Sequence, residues 1–300
     1  MNPIALGRWD FLRSAAVALL LALAAALPAA PQARAAESLI DHWPAERAND
    51  RAALQRGARL FVNYCLNCHS ASLMRWNRLR DIGIDEALVK SQLIFGEQKV
   101  GDTMTVAMNP RDAKGWFGKA PPDLSVIIRA RNTEEHSGTD YVYTLLRGFY
   151  RDNSTLTGWN NIVYPKIAMP NILWQRQGER TATITRTEME ETPSAERRGS
   201  TATSHLVKEV SVYEPDGSVH TTRTDLEHGS TGIEVAFVPS DPKAAAGTDD
   251  DVADIVAFLN WMSEPTAAAR YKIGVWVMGF LVIFLLVARW LNAVYWRDIK

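Results

Sequence analysis

Apolar residues recur at helical spacing in four separate stretches of the chain, with charged residues between them. In the last stretch Val252, Ile255, Val256 and Leu259 form one stripe after an acidic first turn. This pattern predicts a mainly α-helical fold. The predicted helices are Glu46–Tyr64, Asp85–Phe95, Thr139–Tyr150 with Thr139 or Asp140 as its cap, and a last soluble helix that starts at Thr248 and is ended by Pro265.

Two regions between these helices have no helical periodicity. Residues 101–123 hold several prolines and glycines and predict a long irregular loop. Residues 175–240 are polar and rich in threonine, and part of the segment alternates with a two-residue period around Pro215-Asp216-Gly217. That alternation predicts a small β-hairpin. A flexible insertion is an equally good interpretation of the same composition.

The first residues have the layout of a bacterial secretory signal peptide. Arg8 and Arg13 form a basic start, Ser14–Ala30 is an apolar run, and Ala33-Arg34-Ala35 has a small-x-small cleavage pattern. We therefore predict that residues 1–35 are removed, with cleavage at Ala35 or Ala36. A retained first transmembrane helix is the alternative.

The last apolar stretch predicts a membrane anchor. Ile273–Ala288 contains no charged residue and would span roughly 24 Å as a helix. The stretch has no polar face, which disfavours a buried core helix. The predicted organisation is an exported domain over 37–271 in the periplasm, one span over 273–296 in a bacterial inner membrane, and a cytoplasmic tail over 297–300.

Composition narrows the classes of function. Apolar residues make up 47% of the chain, which is enough for a packed core. The net charge of -1 argues against a nucleic-acid-binding protein. The chain has only two cysteines, so its fold is not a disulfide scaffold.

Both cysteines lie in the segment YCLNCHS, residues 64–70, directly before His69. Cys-x-x-Cys-His is the attachment signature of c-type haem, in which two thiols add to the porphyrin and the histidine becomes the proximal iron ligand. A thioredoxin-like site lacks its strand–helix context here. A zinc site lacks further cysteines and matching histidines. Cys65 and Cys68 therefore predict one covalently bound haem c.

The sixth ligand of the iron is less constrained. A methionine would raise the reduction potential, a second histidine would leave it lower, and an open position would permit ligand chemistry. Met104, Met108 and Met169 lie in predicted loops, and Pro170 stiffens the chain after Met169. Spacing alone leaves the choice between Met108 and Met169 open.

Five blocks follow one another along the chain: YCLNCHS, APPDLSVIIRAR at 120–131, GTDYVYTLLRGFY at 138–150, YPKIAMP at 164–170 and DVADIVAFLNWMSEP at 251–265, before the C-terminal anchor. In this order they resemble the cytochrome c1 family, the membrane-anchored haem subunits of the ubiquinol–cytochrome c reductase complex. The resemblance covers most of residues 45–295. It implies a mainly α fold, with a class I cytochrome c-like haem domain, long loops, a small β-hairpin element and one C-terminal transmembrane helix.

The resemblance also implies site residues, position by position. Without the resemblance, Arg131 would be interpreted as a solvated surface charge and Tyr141 as a core packing residue. The implied haem-binding residues are Cys65 and Cys68 as thioether links, His69 and Met169 as axial metal ligands, Arg131 beside a haem propionate, Tyr141 beside the ring, and Pro121 and Pro122 lining the pocket.

The implied function is electron transfer without catalysis by the subunit itself. The resemblance implies cytochrome b and the Rieske iron–sulfur protein as partners, and a soluble c-type cytochrome as the acceptor. Glu134, Glu135 and the acidic run 249–251 are candidates for steering a basic partner. The alternative is a membrane-anchored haem enzyme, of the peroxidase or nitrite reductase type, with an open sixth iron site.

One departure from the family concerns the segment between Met169 and the helix at Asp251. It is much longer than the short hairpin usual in the family, and the resemblance assigns no role to it.

Overall fold

The computed structural model describes residues 39–191 and 204–297. The predicted signal peptide over 1–35, with its cleavage at Ala35 or Ala36, lies outside the described residues. So do residues 298–300 of the predicted tail.

The described residues are mainly helical, as predicted. The α-helices are α1 (Arg51–Leu60), α2 (Glu86–Leu88), α3 (Pro110–Phe117), α4 (Ile127–Ala130), α5 (Gly138–Arg147), α6 (Trp174–Gln177), α7 (Pro242–Ala245), α8 (Thr248–Ser263) and α9 (Ala267–Tyr295). Shorter turns complete the set: 3₁₀ helices at Ala45–Asn49 and Trp76–Ile82, and π-helical turns at Phe61–Cys65 and Val89–Leu93.

The strands form three antiparallel sheets within the described residues. The strands are β1 (Ala71–Arg75), β2 (Thr103–Met104), β3 (Phe149–Arg151), β4 (Trp159–Asn161), β5 (Arg180–Glu191), β6 (Ser204–Tyr213), β7 (Val219–Leu226) and β8 (Gly232–Pro239). Two of the sheets are pairs, β1 with β2 and β3 with β4, and the third has four strands in the order β7-β6-β5-β8.

The core lies where α1 crosses α8. Phe61 and Phe258 meet there with ring centroids 5.3 Å apart, and both side chains are fully buried. The two helices approach closely because Gly57 has no side chain: a Cβ at this position would lie 2.0 Å from the backbone oxygen of Asp254. This crossing fixes the helix that leads into the Cys-x-x-Cys-His segment.

The single helix predicted over Glu46–Tyr64 is divided in the structure. Asp50 has an extended backbone, and its carboxylate accepts a hydrogen bond from the amide of Ala52 at 2.9 Å. It therefore caps α1, and the residues before it form the separate 3₁₀ turn. Aspartate is a preferred N-cap residue. At Asp50 the chain therefore starts a new helix and does not continue the preceding turn into one long helix.

The later helix predictions are confirmed with shifted ends. α8 begins at Thr248 as predicted. α5 begins one residue earlier than predicted, because Ser137 is its cap and its hydroxyl accepts from the amide of Asp140. The helix stops at Gly148, so Phe149 and Tyr150 enter β3 instead. Asp85 caps α2, which continues into the π-helical turn.

The prediction of an irregular loop over 101–123 is wrong for its middle part, which forms α3. Asn109 caps this helix, Pro110 occupies its first turn, and Gly118 ends it with a φ of 75°. A capping asparagine, an N-terminal proline and a C-terminal glycine are the ordinary signals of a short helix.

The polar segment after residue 175 contains the predicted hairpin and more. β6 and β7 pair from Leu206↔Leu226 to Tyr213↔Val219, and Gly217 adopts a φ of 82° in the turn. β5 and β8 extend this hairpin into the four-stranded sheet, which is larger than the predicted element. The described part of the segment is therefore an ordered sheet and not a flexible insertion.

The C-terminal helix α9 has the length and the apolar composition of the predicted membrane anchor. The span Ala269–Tyr295 contains an 18-residue window with a mean hydropathy of 2.2, and none of that window is buried by the rest of the chain. Its 27 residues reach about 40 Å, enough to cross a bilayer with some tilt. Among the described residues, α9 is the one helix long and apolar enough to cross a membrane.

The close crossing at Gly57 yields a stability prediction. We expect Gly57→Ala to lower the free energy of unfolding by about 1–3 kcal/mol, because the new methyl group forces α1 and α8 apart. Gly115→Ala in α3 is the matched control, since nothing lies within 4 Å of its added Cβ. Alanine should help there by up to about 1 kcal/mol. Thermal unfolding followed by circular dichroism measures both, and a Gly57→Ala protein as stable as the control would contradict the close crossing.

Candidate functional site

The Cys-x-x-Cys-His segment follows α1 through the π-helical turn that ends at Cys65. The backbone amides of Cys68 and His69 both donate to the carbonyl oxygen of Cys65, at 3.1 and 2.9 Å. One tight turn therefore carries both thiols and the imidazole. The structure thus brings together the three side chains that the sequence predicts to bind haem.

The two thiols have no feature of a redox-active pair. Burial raises the pKa of Cys65 to about 12, and burial also raises the pKa of Cys68. Both side chains are neutral at pH 7, whereas a redox-active cysteine has a lowered pKa. Among the described residues, no group of three or more His, Cys, Asp or Glu side chains is arranged to hold a metal ion.

His69 has one nitrogen engaged and one available. Its Nδ1 lies 2.7 Å from the carbonyl oxygen of Pro122. A carbonyl only accepts hydrogen bonds, so Nδ1 carries the proton and Nε2 keeps its lone pair for a metal. Burial lowers the pKa of His69, although the bond to Pro122 opposes this, and the neutral ring is favoured. An oriented neutral imidazole can donate to iron, and two neutral thiols beside it can add to the vinyl groups of a porphyrin, which is the chemistry of a c-type haem site.

The loop that carries Pro121 and Pro122 is tied to the chain after His69. The carboxylate of Asp123 accepts from the amides of Ser72 and Ser125, each at 2.8 Å. Although burial opposes ionisation, these hydrogen bonds lower the pKa of Asp123 below its ordinary value. The clamp holds the carbonyl of Pro122 in place, so Asp123 supports the orientation of His69. Sequence reasoning did not identify this residue.

Arg131 and Tyr141, two of the residues predicted to bind haem, lie next to each other. The Arg131 guanidinium carbon is 5.4 Å from the centroid of the Tyr141 ring. His136 stacks on the same ring at 5.3 Å and was not predicted. Gly138 allows this arrangement, because a Cβ there would lie 1.8 Å from the carbonyl oxygen of Ile128.

The structure separates the methionines into core and loop residues. Met104 is fully buried in the main core, and so are Met74 and Met262 to within a few per cent. Met169 is half-buried and packs against both the main core and a second cluster formed by Phe149, Trp159 and Ile167. Met108 is half-buried just before α3. Met104 is therefore a packing residue, and Met108 and Met169 remain as candidates.

Two buried asparagines hold the start of the loop that carries Met169. Asn160 accepts from the amide of Lys166 at 2.7 Å, and Lys166 has a positive φ of 57°. Asn161 accepts from the amide of Val163 at 3.0 Å and donates to the carbonyl of Leu145 at 2.8 Å. These side-chain hydrogen bonds pair backbone groups of a segment that belongs to no helix or strand. A pair of asparagines at a strand end was the only sequence signal for this role.

The acidic run at the start of α8 is not a free negative patch. Arg147 pairs with Asp249 at 2.7 Å, Arg47 pairs with Asp250, and Arg176 pairs with Asp251. The expectation that 249–251 could steer a basic partner is therefore not supported by their surroundings.

Glu134 and Glu135 differ from that run. Both are exposed in the loop before α5, and no ion pair within the described residues involves either of them.

Known proteins are similar to this chain over most of its length. A model of the cytochrome C1 family matches residues 45–190 and 239–299. The chain is 38% identical to an ammonia monooxygenase gamma subunit from Nitrosomonas europaea, over 88% of this chain and 90% of that protein. It is 36% identical to a cytochrome c1 from Allochromatium vinosum, over 93% and 98% of the two chains. A cytochrome c1 from Rhodospirillum rubrum is 24% identical over 84% of this chain and 83% of that protein.

The clamp at Asp123 yields a local prediction. We expect Asp123→Ala to speed amide hydrogen exchange at Ser72 and Ser125 about tenfold or more, since each amide loses a hydrogen bond to a carboxylate. Asp216→Ala is the control, because it removes an equivalent bond to Ser218 in the turn between β6 and β7. Exchange at Ser72 and Ser125 should then be unchanged. Equal protection in both variants would mean that Asp123 does not hold the loop.

Proposed function

The chain belongs to the cytochrome c1 family, and as such it is an electron-transfer subunit of a ubiquinol–cytochrome c reductase complex. From this premise we propose that it holds one haem c covalently through Cys65 and Cys68. In this proposal His69 and Met169 are the axial ligands. When bound, the haem supplies one-electron chemistry; the protein residues bind it, orient its ligands and exclude water.

The observation that carries the proposal is the hydrogen bond from His69 Nδ1 to the carbonyl oxygen of Pro122. It leaves Nε2 as the free donor of a ring whose orientation is fixed, on the same turn as both thiols. A histidine oriented through its other nitrogen is the usual state of a metal ligand. Pro121 and Pro122 line this side of the proposed pocket.

We propose Met169 and not Met108 as the sixth iron ligand because of the residues that surround it. Met169 packs against the core that contains Cys65, and its loop is held at both ends by buried asparagines. A fixed position on a braced loop suits an axial ligand that must not dissociate. We also propose Arg131 as the partner of a haem propionate, with Tyr141 stacked beneath its guanidinium.

The proposed partners follow from family membership. Cytochrome b and the Rieske iron–sulfur protein are the proposed neighbours, with the Rieske protein as electron donor and a soluble c-type cytochrome as acceptor. The apolar anchor α9 and the signal-peptide pattern of the first residues support a periplasmic haem domain on the bacterial inner membrane. Glu134 and Glu135 are the exposed acidic residues proposed to attract the acceptor at low salt.

We expect Met169→Leu to abolish the weak ferric absorption at about 695 nm that accompanies methionine ligation, and to lower the midpoint potential. Met108→Leu is the matched control and should leave both unchanged, since leucine conserves the volume of the side chain. Optical redox titration of the full chain measures both properties. The reverse outcome, with the effect in Met108→Leu only, would overturn the ligand assignment.

Covalent attachment of the haem is tested in the same samples. Haem staining after denaturing electrophoresis should persist in both methionine variants, because thioether bonds survive denaturation. It should disappear when Cys65 and Cys68 are both replaced by alanine. Stain lost from the unmodified chain would show that the haem is not covalently bound.

The Nitrosomonas europaea relative bears the name of a subunit of another oxidoreductase, which gives a second candidate for the partner complex. We expect an affinity-tagged full chain, purified from membranes in mild detergent, to bring cytochrome b and a Rieske protein with it. Copurification of a monooxygenase without these two subunits would favour the second candidate. An anchor-deleted chain is the control for contaminants.

A further inference from the structure

The backbone carbonyl of Phe149, at the start of β3, receives an unusual set of donors. Gln177 Nε2 donates to it at 3.1 Å, and so does Arg180 Nε at 3.1 Å. Nη2 of Arg180 donates to the same oxygen and also to the carbonyl of Arg147 at 2.5 Å. A planar guanidinium that bridges two carbonyls fixes the end of α5 and the start of β3 together.

Arg180 is the first residue of β5, so these bonds join the four-stranded sheet to the rest of the domain. Its guanidinium carbon lies 3.7 Å from the centroid of the Phe237 ring on β8. No ion pair with a carboxylate of the described residues involves Arg180. Burial lowers its pKa to about 9, so the group is still charged at neutral pH. The hydrogen bonds to the backbone carbonyls of Phe149 and Arg147 therefore replace most of the hydrogen bonds to water that the Arg180 guanidinium loses on burial.

Two physical connections lead from Arg180 to Met169. The Phe149 ring lies in the second cluster, against which Met169 packs. Gln177, which shares the Phe149 carbonyl with Arg180, accepts from Asn171 Nδ2 at 2.7 Å. Asn171 follows Met169 by two positions in the chain. Both connections end on the loop that carries the methionine.

The sheet has two more contacts with the same region. The rings of Tyr150 and Tyr213 have centroids 4.6 Å apart. Asn153, in the turn between β3 and β4, donates from its side chain to the carbonyl of Asp216 at 2.9 Å and from its amide to Gly217 at 3.2 Å. The family model leaves residues 191–238 unmatched, so most of this sheet lies outside the part that the family model describes.

We propose that the four-stranded sheet is a brace that positions the Met169 loop, and that Arg180 is the positioning residue through which it acts. The proposal rests on the proposed function, in which Met169 is the sixth ligand. Loosening the brace increases the fraction of protein in which the methionine has left the iron. In this proposal the sheet acts by position and supplies no iron ligand.

The test uses the full chain with its haem, purified in detergent. Arg180→Ala removes the bridge, and Arg180→Lys keeps the charge while losing the planar fork. Arg223→Ala is the matched control, because Arg223 pairs with Glu190 at 2.5 Å and Glu209 at 3.7 Å within the sheet. Two quantities are measured: the ferric absorption at about 695 nm and the fraction of ferrous protein that binds carbon monoxide.

We expect Arg180→Ala to raise the carbon monoxide-reactive fraction about tenfold, as the loss of charged hydrogen bonds predicts, and to weaken the ferric band. Arg180→Lys should be intermediate, and Arg223→Ala should match the unmodified chain. An Arg180→Ala protein with the original band and no carbon monoxide binding would overturn the proposal.

If Arg180→Ala does not accumulate as a folded haem protein, the same two quantities are measured in Tyr213→Ala instead. This variant removes a contact between the sheet and β3 without removing a buried charge. An unchanged carbon monoxide-reactive fraction in that variant would also overturn the brace. Failure of the proposed function is recognised separately: the ferric band would then persist in Met169→Leu, whatever the Arg180 variants show.

Discussion

The hydrogen bond between His69 Nδ1 and the carbonyl of Pro122 is the constraint on which the site depends. It determines which nitrogen of the imidazole is free and in which direction that nitrogen points. The clamp at Asp123 holds the carbonyl, and the tight turn at Cys65 holds the histidine. The crossing at Gly57 places this turn on the core, so the orientation of the His69 imidazole is set by packing far from His69 itself.

The opposite side of the proposed iron site is built differently. Met169 lies on a loop without regular hydrogen-bond partners, and buried side chains supply them instead: Asn160 and Asn161 before it and Asn171 after it. The four-stranded sheet adds Arg180 to this support. A thioether is a weak ligand that binds through position and not through charge, so a loop carrying one has to be held from several directions.

Much of this architecture could be predicted from local signals. The stripe of α8 and the apolar run of α9 each depend on residues close together in sequence, and both helices were predicted correctly. The Cys-x-x-Cys-His segment is just as local, and its haem-binding role stays a prediction. Asp50 and Asn109-Pro110 also carried local capping signals, but the helical periodicity around Asp50 and the glycines around Pro110 outweighed them in the sequence interpretation.

The unpredicted features depend on contacts between distant residues. The sequence gives no sign that the acidic run 249–251 is paired, because its arginine partners lie far away in sequence, as Arg47 does from Asp250. The pairing of β5 with β8 likewise joins segments separated by the hairpin β6–β7. The stacking of His136 on Tyr141 and the hydrogen bond from Arg180 to the Phe149 carbonyl could not be predicted from the sequence. No sequence pattern marks these contacts, because only the fold brings the residues together.

The central claim is that both axial positions of the iron are filled by side chains of this chain. The most direct measurement is the optical spectrum of the unmodified full chain, reduced at neutral pH, before and after saturation with carbon monoxide. The account predicts no change in the spectrum, because His69 and the loop methionine close both faces of the ring. Rapid and complete conversion to a carbon monoxide complex would contradict it.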